Sequence, residues 1–311
     1  MSEEVSSGTS VTSVPTSARA RVGGASPYLW LGLGHLVNSN ISILIKLSAS
    51  TFWTIATYRL AFAVLAAYPI IRMMKIRPFR DVARRDLALM ALSGVFLAMD
   101  LSMWTASIKF TSVASATLFV SLSPIVVAIV AFFLLGERPS ARTVTGIAVG
   151  MAGSAIIGSH DFQISGVALF GDLLAFSGAV CWAGCLTIGR RIRRDYDSWS
   201  YSYIMFLASF LTVAVLAVGA GDPLRPATTP DIVVFVLLGT ACTVGTHTMY
   251  SWVLKYVQTS IASITFLAQP VLATGIAWLV FGETVPLTTF VGGVVILTGV
   301  YLATTTRRPG N

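Results

Sequence analysis

The chain has 311 residues, of which 55% are hydrophobic and only 11% charged, with a mean hydropathy of +0.79. Soluble domains carry about 25% charged residues, so soluble enzymes and soluble binding modules are excluded and an integral membrane protein is expected. The net charge of +8 does not make nucleic acid a partner, because nearly all of it falls in short loops between apolar runs.

Residues 1–26 are rich in Ser, Thr, Val and Ala, with Arg19 and Arg21, and read as a disordered polar tail rather than a cleavable signal. Ten apolar runs follow, at 28–46, 51–71, 87–108, 113–135, 142–158, 168–189, 200–219, 232–254, 260–281 and 286–304. A spanning helix needs about 20 residues, and most runs meet that. The fifth is short, but its Gly and Ala allow close backbone packing. Residues 307–311 form a second tail. The fold class expected is an all-α membrane protein with ten transmembrane helices.

Short connections make sequential helices antiparallel. With the N-terminus cytoplasmic, seventeen Lys and Arg lie on the cytoplasmic side, concentrated in residues 72–85 and 190–194, and three (Lys46, Lys109, Arg225) lie outside. Basic residues favour the cytoplasmic side, so both termini are expected there, in an inner or plasma membrane. The basic loops also suit contact with anionic lipid.

The stretch Ser-Pro124 … Gly136-Glu137 recurs as Gln-Pro270 … Gly282-Glu283, each with eleven apolar residues between the proline and the glycine, at an offset of 146 residues. The same offset places Lys109 on Lys255, Ala116 on Ala262, Thr143 on Thr289, Gly146 on Gly292 and Gly153 on Gly299. Apolar periodicity alone would not align these residues, so the chain reads as a duplication: a first repeat over 27–159 and a second over 160–306. Five spans per repeat is an odd number, so the second repeat enters the membrane inverted, as in many secondary transporters.

Tyr58-Arg59-Leu-Ala-Phe62, Lys109-Phe-Thr-Ser-Val-Ala-Ser-Ala116, Ser-Pro124 and Gly136-Glu137 resemble the EamA family of the drug/metabolite transporter superfamily. The second half repeats the pattern as Lys255-Tyr-Val-Gln-Thr-Ser-Ile-Ala262, Gln-Pro270 and Gly282-Glu283. The resemblance covers about residues 28–304. It implies two inverted five-helix repeats and a central cavity lined mainly by helices 1, 3, 4, 6, 8 and 9. It also implies export of amino acids or other small metabolites, the activity of many members. Met205 stands where register with Arg59 would put a basic residue, which breaks the two-fold relation there.

Ionisable groups within a span cost about 2.5–3.5 kcal/mol on insertion scales, so they point to function. Four occur here: His35, Arg59, Asp100 and His247. Arg59 and Asp100 both lie about 12 Å below the outer ends of their helices, at ~1.5 Å per residue. They are expected to pair when the site is empty and to grip the carboxylate and ammonium of a zwitterion when it is full. The alternative is a structural ion pair. Protonation of Asp100 would couple transport to protons, with His35 and His247 as candidate relays.

Polar stripes mark Ser93, Asp100, Trp104 and Ser107 on helix 3, Thr243, His247 and Tyr250 on helix 8, and His35, Asn38, Ser39, Ser42 and Lys46 on helix 1. In lipid such stripes turn inward, towards a cavity or into hydrogen bonds between helices. The substrate-binding candidates are therefore Asn38, Arg59, Asp100, Trp104, His247, Tyr250 and Gln269. Trp104 and Tyr250, register equivalents, are expected as its apolar walls. Trp182 fits either cavity or core. Pro124 and Pro270 sit near midspan and read as kinks or hinges. Glu137 and Glu283 read as caps of helices 5 and 10.

Other classes fit less well. Cys181, Cys185 and Cys242 show no CxxC or zinc spacing and read as packing residues. No P-loop, GxSxG or HExxH occurs, and no nucleophile–base pair is in register, so neither an enzyme nor a cofactor or metal is expected. A non-transporting scaffold would not need midspan polar stripes. Efflux of hydrophobic cations would suit Asp100 with Trp104 and Tyr250, but Arg59 opposes it. The expected partners are a small-molecule substrate, the lipid bilayer and a second copy in a homodimer.

Overall fold

A computed structural model describes residues 27–80, 82–111, 116, 119–158, 166–281 and 287–305. Both expected tails, Ser159, and Glu283 with its turn and Pro286 lie outside these residues. Among the described residues every regular element is helical.

The ten apolar runs become ten helical units. Run 1 splits into α1 (Pro27–Asn38) and α2 (Ile41–Leu47). Then come α3 (Phe52–Met73), α4 (Arg84–Phe110), α5 (Ser123–Leu135), α6 (Ala141–Gly158), α7 (Gly166–Ile192) and α8 (Ser198–Gly219). Run 8 is a rod of α9 (Thr229–Leu237), a π-helix (Leu238–Gly245) and α10 (Thr246–Val253). Run 9 comprises α11 (Thr259–Ile264), a 3-10 turn (Thr265–Ala268) and α12 (Gln269–Phe281), and run 10 is α13 (Leu287–Thr304). Six units are long and apolar enough to cross a bilayer: α3, the Arg84–Ser107 part of α4, α7, α8, the rod Thr229–Val253 and α13.

Polar contacts sort the connections onto two faces. On one, Tyr196 Oη donates to Asp86 Oδ2 at 2.8 Å, Arg190 Nε donates to Glu137 Oε1 at 3.0 Å, and Thr259 N donates to Glu137 Oε2 at 3.0 Å. The loop residues 74–80, 82–83, 136–140, 193–197 and 254–258 share this side, here termed the arginine-rich face. On the other, Ser50 Oγ donates to Asp231 Oδ2 at 2.6 Å and Thr54 Oγ1 to Asp222 Oδ1 at 2.9 Å. Asp197 accepts from Trp199 N and Ser200 N and so starts α8, while Thr51 accepts from Thr54 N and starts α3.

Glu137 does not cap α6, contrary to expectation. Ser140 does, accepting from Thr143 N at 3.1 Å. The reason lies one residue earlier: Gly136 closes α5 at φ 66°. That left-handed turn brings Glu137 N back to Ala131 O at 3.2 Å and directs the carboxylate inward, where it is only 9% exposed.

α6 and α13 pack backbone to backbone. A Cβ on Gly146 would lie 2.6 Å from Gly299 O, and one on Gly153 would lie 2.6 Å from Gly292 O. These contacts exchange under the 146-residue offset, since 146 pairs with 292 and 153 with 299. A second exchange links α4 to α8 and α3 to the π-helix. Gly94 faces Met205 O, Ala208 Cβ and Ser209 N, whereas Gly239 faces Arg59 O, Phe62 Cβ and Ala63 N. A third exchange is Asp86–Tyr196 against Asp231–Ser50.

Gly239 and Asp231 stand 145 residues beyond Gly94 and Asp86, while Tyr250 stands 146 beyond Trp104. The rod therefore holds one extra residue, and the π-helix between these positions absorbs it.

Candidate functional site

Three of the ten runs are interrupted near midspan, and two of the interruptions meet. The first run breaks at Ser39-Asn40, where Asn40 N turns back to Val37 O at 3.3 Å. The ninth breaks at the 3-10 turn Thr265–Ala268. Ser39 Oγ bridges them, donating to His35 O at 2.7 Å and to Gln269 O at 3.3 Å. The fourth run turns at 121–122 before α5 begins.

Pro124 and Pro270 are accordingly not kinks inside long helices. Each is the second residue of a thirteen-residue helix, α5 or α12. There the missing N–H needs no intrahelical partner, so each proline follows a break in its run. The side chain of Pro270 lies outside the described residues, as do those of Ser42 and Lys46 from the helix 1 stripe.

At the crossing of the two breaks sits His35, 2% exposed. Its Nε2 is 2.7 Å from Thr265 Oγ1, and its Nδ1 is 2.9 Å from Tyr250 Oη and 3.2 Å from Gln269 Nε2. The ring also meets Phe266 edge-on at 4.9 Å, and Phe266 stacks on Tyr250 at 4.6 Å. Trp182 closes this group with edge contacts to Phe266 at 5.0 Å and His247 at 5.6 Å. Trp182, His247 and Tyr250 border a cavity of about 10 Å³, with Cys185, Tyr201 and Leu254 among its other walls. That is room for about one water. Three expected residues, His35, Tyr250 and Gln269, thus share one polar network. His247 stands beside it, its ring against Trp182 and Phe206 and its carbonyl accepting from Ser251 Oγ at 2.7 Å.

Arg59 forms a second centre. It is 4% exposed, and its Nε donates to Thr243 Oγ1 at 2.7 Å. Thr243 in turn donates to Leu238 O at 2.7 Å, five residues back within the π-helix. The extra residue in the rod therefore builds the seat of this arginine. Among the described residues the terminal nitrogens of Arg59 have no hydrogen-bond acceptor.

The expected Arg59–Asp100 ion pair is not formed. Arg59 turns to the rod, whereas Asp100 faces α7, its Oδ1 being 3.3 Å from where a Cβ on Gly178 would stand. The carboxylate of Asp100 makes no hydrogen bond to a described residue.

Trp104 does not join Tyr250 as a second wall. It packs with Ile41, Ile55, Val234, Phe235, Leu238 and Cys242, near the end of α4 away from the arginine-rich face. Tyr250 lies one turn from the other end of its rod, at Leu254, which belongs to that face. Asn38 ends α1 at the break and is half-buried. Ser93 is spent on Tyr201 Oη at 2.6 Å, and Ser107 on Trp104 O at 2.7 Å.

The groups not foreseen as site residues are Thr265 and Phe266. Both lie within four residues of Gln269-Pro270, which marks the break. Trp182, left undecided between cavity and core, borders the cavity.

The EamA-like transporter family matches this chain twice, over residues 27–159 and 169–305. A protein of Archaeoglobus fulgidus named an uncharacterized transporter is 25% identical over 274 residues, covering 87% of this chain and 93% of that one. The Bacillus subtilis protein named uncharacterized transporter YoaV is 24% identical over 212 residues, covering 65% of this chain and 70% of its own length. A solved crystal structure superposes with a TM-score of 0.77 at 17% identity, covering 89% of this chain and 96% of its own, a likeness of fold. With both halves matched and membrane-capable helices throughout, the chain belongs to the EamA-like transporter family and is a multi-pass membrane transporter.

Proposed function

We propose that the protein is a secondary transporter of the cell membrane that exports amino acids or related small metabolites by alternating access. Two inverted five-helix repeats would rock about the central site. The reciprocal contacts of Gly146 with Gly299 and Gly153 with Gly292, and of Gly94 and Gly239 with each other's counterpart helices, support that symmetry. The breaks at 39–40, 121–122 and 265–268 are where the helices would bend, because interrupted ladders have fewer bonds to lose.

The observation that carries the substrate class is Arg59. A guanidinium buried in a span with one neutral partner is costly until an anion reaches it. Its free fork suits a carboxylate. Because no ion pair must first be broken, substrate binding recovers that cost directly. Asp100, whose carboxylate likewise makes no hydrogen bond to a described residue, would take the ammonium or a proton. The aromatic group of Trp182, Tyr250 and Phe266 favours a second reading, efflux of an organic cation.

Counterflow of radiolabelled amino acids and of organic cations, in liposomes holding the purified protein, separates the two. Saturable counterflow of cations alone would overturn the amino-acid reading. Asp100→Asn should abolish transport driven by a pH gradient and spare exchange of substrate for substrate. Unchanged gradient dependence in that variant would remove the proton-coupling role.

We place the arginine-rich face and both termini in the cytoplasm, from the loop charges. Ala227→Cys, in a background without the native cysteines, should react with an impermeant maleimide on intact cells. Reaction only after permeabilisation would reverse the orientation.

A further inference from the structure

At the arginine-rich face the small cavity ends beside a polar cluster that the substrate reading does not use. Both oxygens of the Glu137 carboxylate are occupied, Oε1 by Arg190 Nε and Oε2 by the backbone N–H of Thr259, each at 3.0 Å. Arg190 donates as well, through Nη1, to the carbonyl of Leu254. One carboxylate and one guanidinium thus tie together the end of α5, the last turn of α7, the end of α10 and the start of α11. The side chains of Arg190 and Glu137 are only 16% and 8% exposed, so the pair is weakly screened by solvent.

Leu254 is shared. Its carbonyl holds Arg190, while its side chain is part of the cavity wall. The four segments come from both halves of the chain: Glu137 from the first, the others from the second. The cavity of about 10 Å³ is walled by α7, α8 and α10. A solute entering from this face would have to part the ends of α7 and α10, which Arg190 joins through Leu254 O and Arg193 through Ser251 O, and Glu137 ties α5 and α11 to the same point.

We propose that the Glu137–Arg190 pair is a latch that closes the transporter at its arginine-rich face, and that the pair breaks whenever the site opens to that face. Glu137 is then a positioning residue for transport rather than a helix cap. The inference rests on the alternating-access reading. Its energetic logic is that of a poised switch: a single pair, reachable by water from one side, can break and re-form without unfolding the helices it joins.

The native cysteines report on it. Cys185 lines the cavity behind the latch and is 3% exposed. Cys242, also 3% exposed, lies towards the opposite face in the cluster around Trp104. Two proteins, each retaining one of these cysteines and Ser at the other two positions, would be placed in lipid nanodiscs, where both faces meet solvent. A charged methanethiosulfonate is the probe.

Glu137→Gln keeps an acceptor for Thr259 N but removes the charge facing Arg190. It should speed modification of Cys185 about tenfold or more, as expected for a lost charge-assisted hydrogen bond, without speeding that of Cys242. Arg190→Gln should do the same. The double variant should be no faster than either single one, because the two residues act as a unit.

An unchanged Cys185 rate overturns the latch. So does an equal rise at Cys242, which means general loosening. So does an additive rise in the double variant. The readout needs no substrate. If the rates change as expected while liposomes move no amino acid, the substrate reading alone falls.

Discussion

Arg59→Met should eliminate saturable transport of carboxylated substrates and leave the protein at least as heat-stable as before. The two halves of that expectation have one cause. A guanidinium that is 4% exposed and, among the described residues, hydrogen-bonded only to Thr243 Oγ1 is kept out of water at a cost that no direct ion pair offsets, the Asp100 carboxylate acting on it only at a distance. An unbranched apolar side chain of similar length removes the cost and fills the space, and such replacements of buried charge are often neutral or stabilising. Bidentate contact with a carboxylate comprises two charge-assisted hydrogen bonds at about 1.5–3 kcal/mol each. Their loss weakens binding by at least about two orders of magnitude.

Arg59→Lys keeps the charge without the fork and should fall between. Ligand-induced shifts in melting temperature, read beside counterflow, separate the outcomes. If Arg59→Met melts well below the unmodified protein and still transports, the arginine is a structural tie and the substrate carboxylate is held elsewhere.

Much of the fold was legible because the bilayer makes strong demands. Runs of sufficient length had to be helices, and all ten units fall within a few residues of the expected limits, apart from the fourth, whose α5 begins at Ser123 after helical residues at 116 and 119–120 and the turn at 121–122. Their interruptions were harder to read. A proline at midspan looks the same in sequence whether it bends a helix or follows a break, and only the turns at 121–122 and 265–268 decide for the break.

The site was legible in its parts. His35, Tyr250 and Gln269 converge because the polar side chains of helices 1, 8 and 9 must avoid lipid. Trp104 and Tyr250 were wrongly joined, since equivalent positions on two antiparallel helices approach opposite faces. The seat of Arg59 was hidden in a one-residue difference: Gly94 and Gly239 are 145 apart, Trp104 and Tyr250 are 146 apart. A single offset obscures the insertion that the π-helix absorbs. Glu137 was misread because capping is a local inference, whereas its partners Arg190 and Thr259 are remote in sequence.

The glycine seam between α6 and α13 gives the other large effect. A Cβ on Gly299 would lie 2.5 Å from Gly150 N and 2.6 Å from Gly146 O. Both obstacles are backbone atoms, which cannot escape by changing rotamer. Gly299→Ala should therefore force the helices apart and cost about 1–3 kcal/mol or more. Gly153→Ala meets the exchanged pair of obstacles, Gly292 O at 2.6 Å and Ile296 N at 2.7 Å, and should cost a similar amount.

Two controls isolate the cause. On Gly150 a Cβ meets only Leu267 Cδ1, at 2.7 Å, the far end of a side chain that can move, so Gly150→Ala should lose less. On Gly275 it meets nothing within 4 Å, and Ala there should be neutral or stabilising by up to about 1 kcal/mol through helix propensity. Thermal unfolding of the four variants in one detergent tests the order. Equal melting temperatures at Gly299→Ala and Gly275→Ala would show that α6 and α13 are not held at backbone contact. A large loss at Gly299→Ala with none at Gly153→Ala would break the reciprocity on which the two-repeat reading leans.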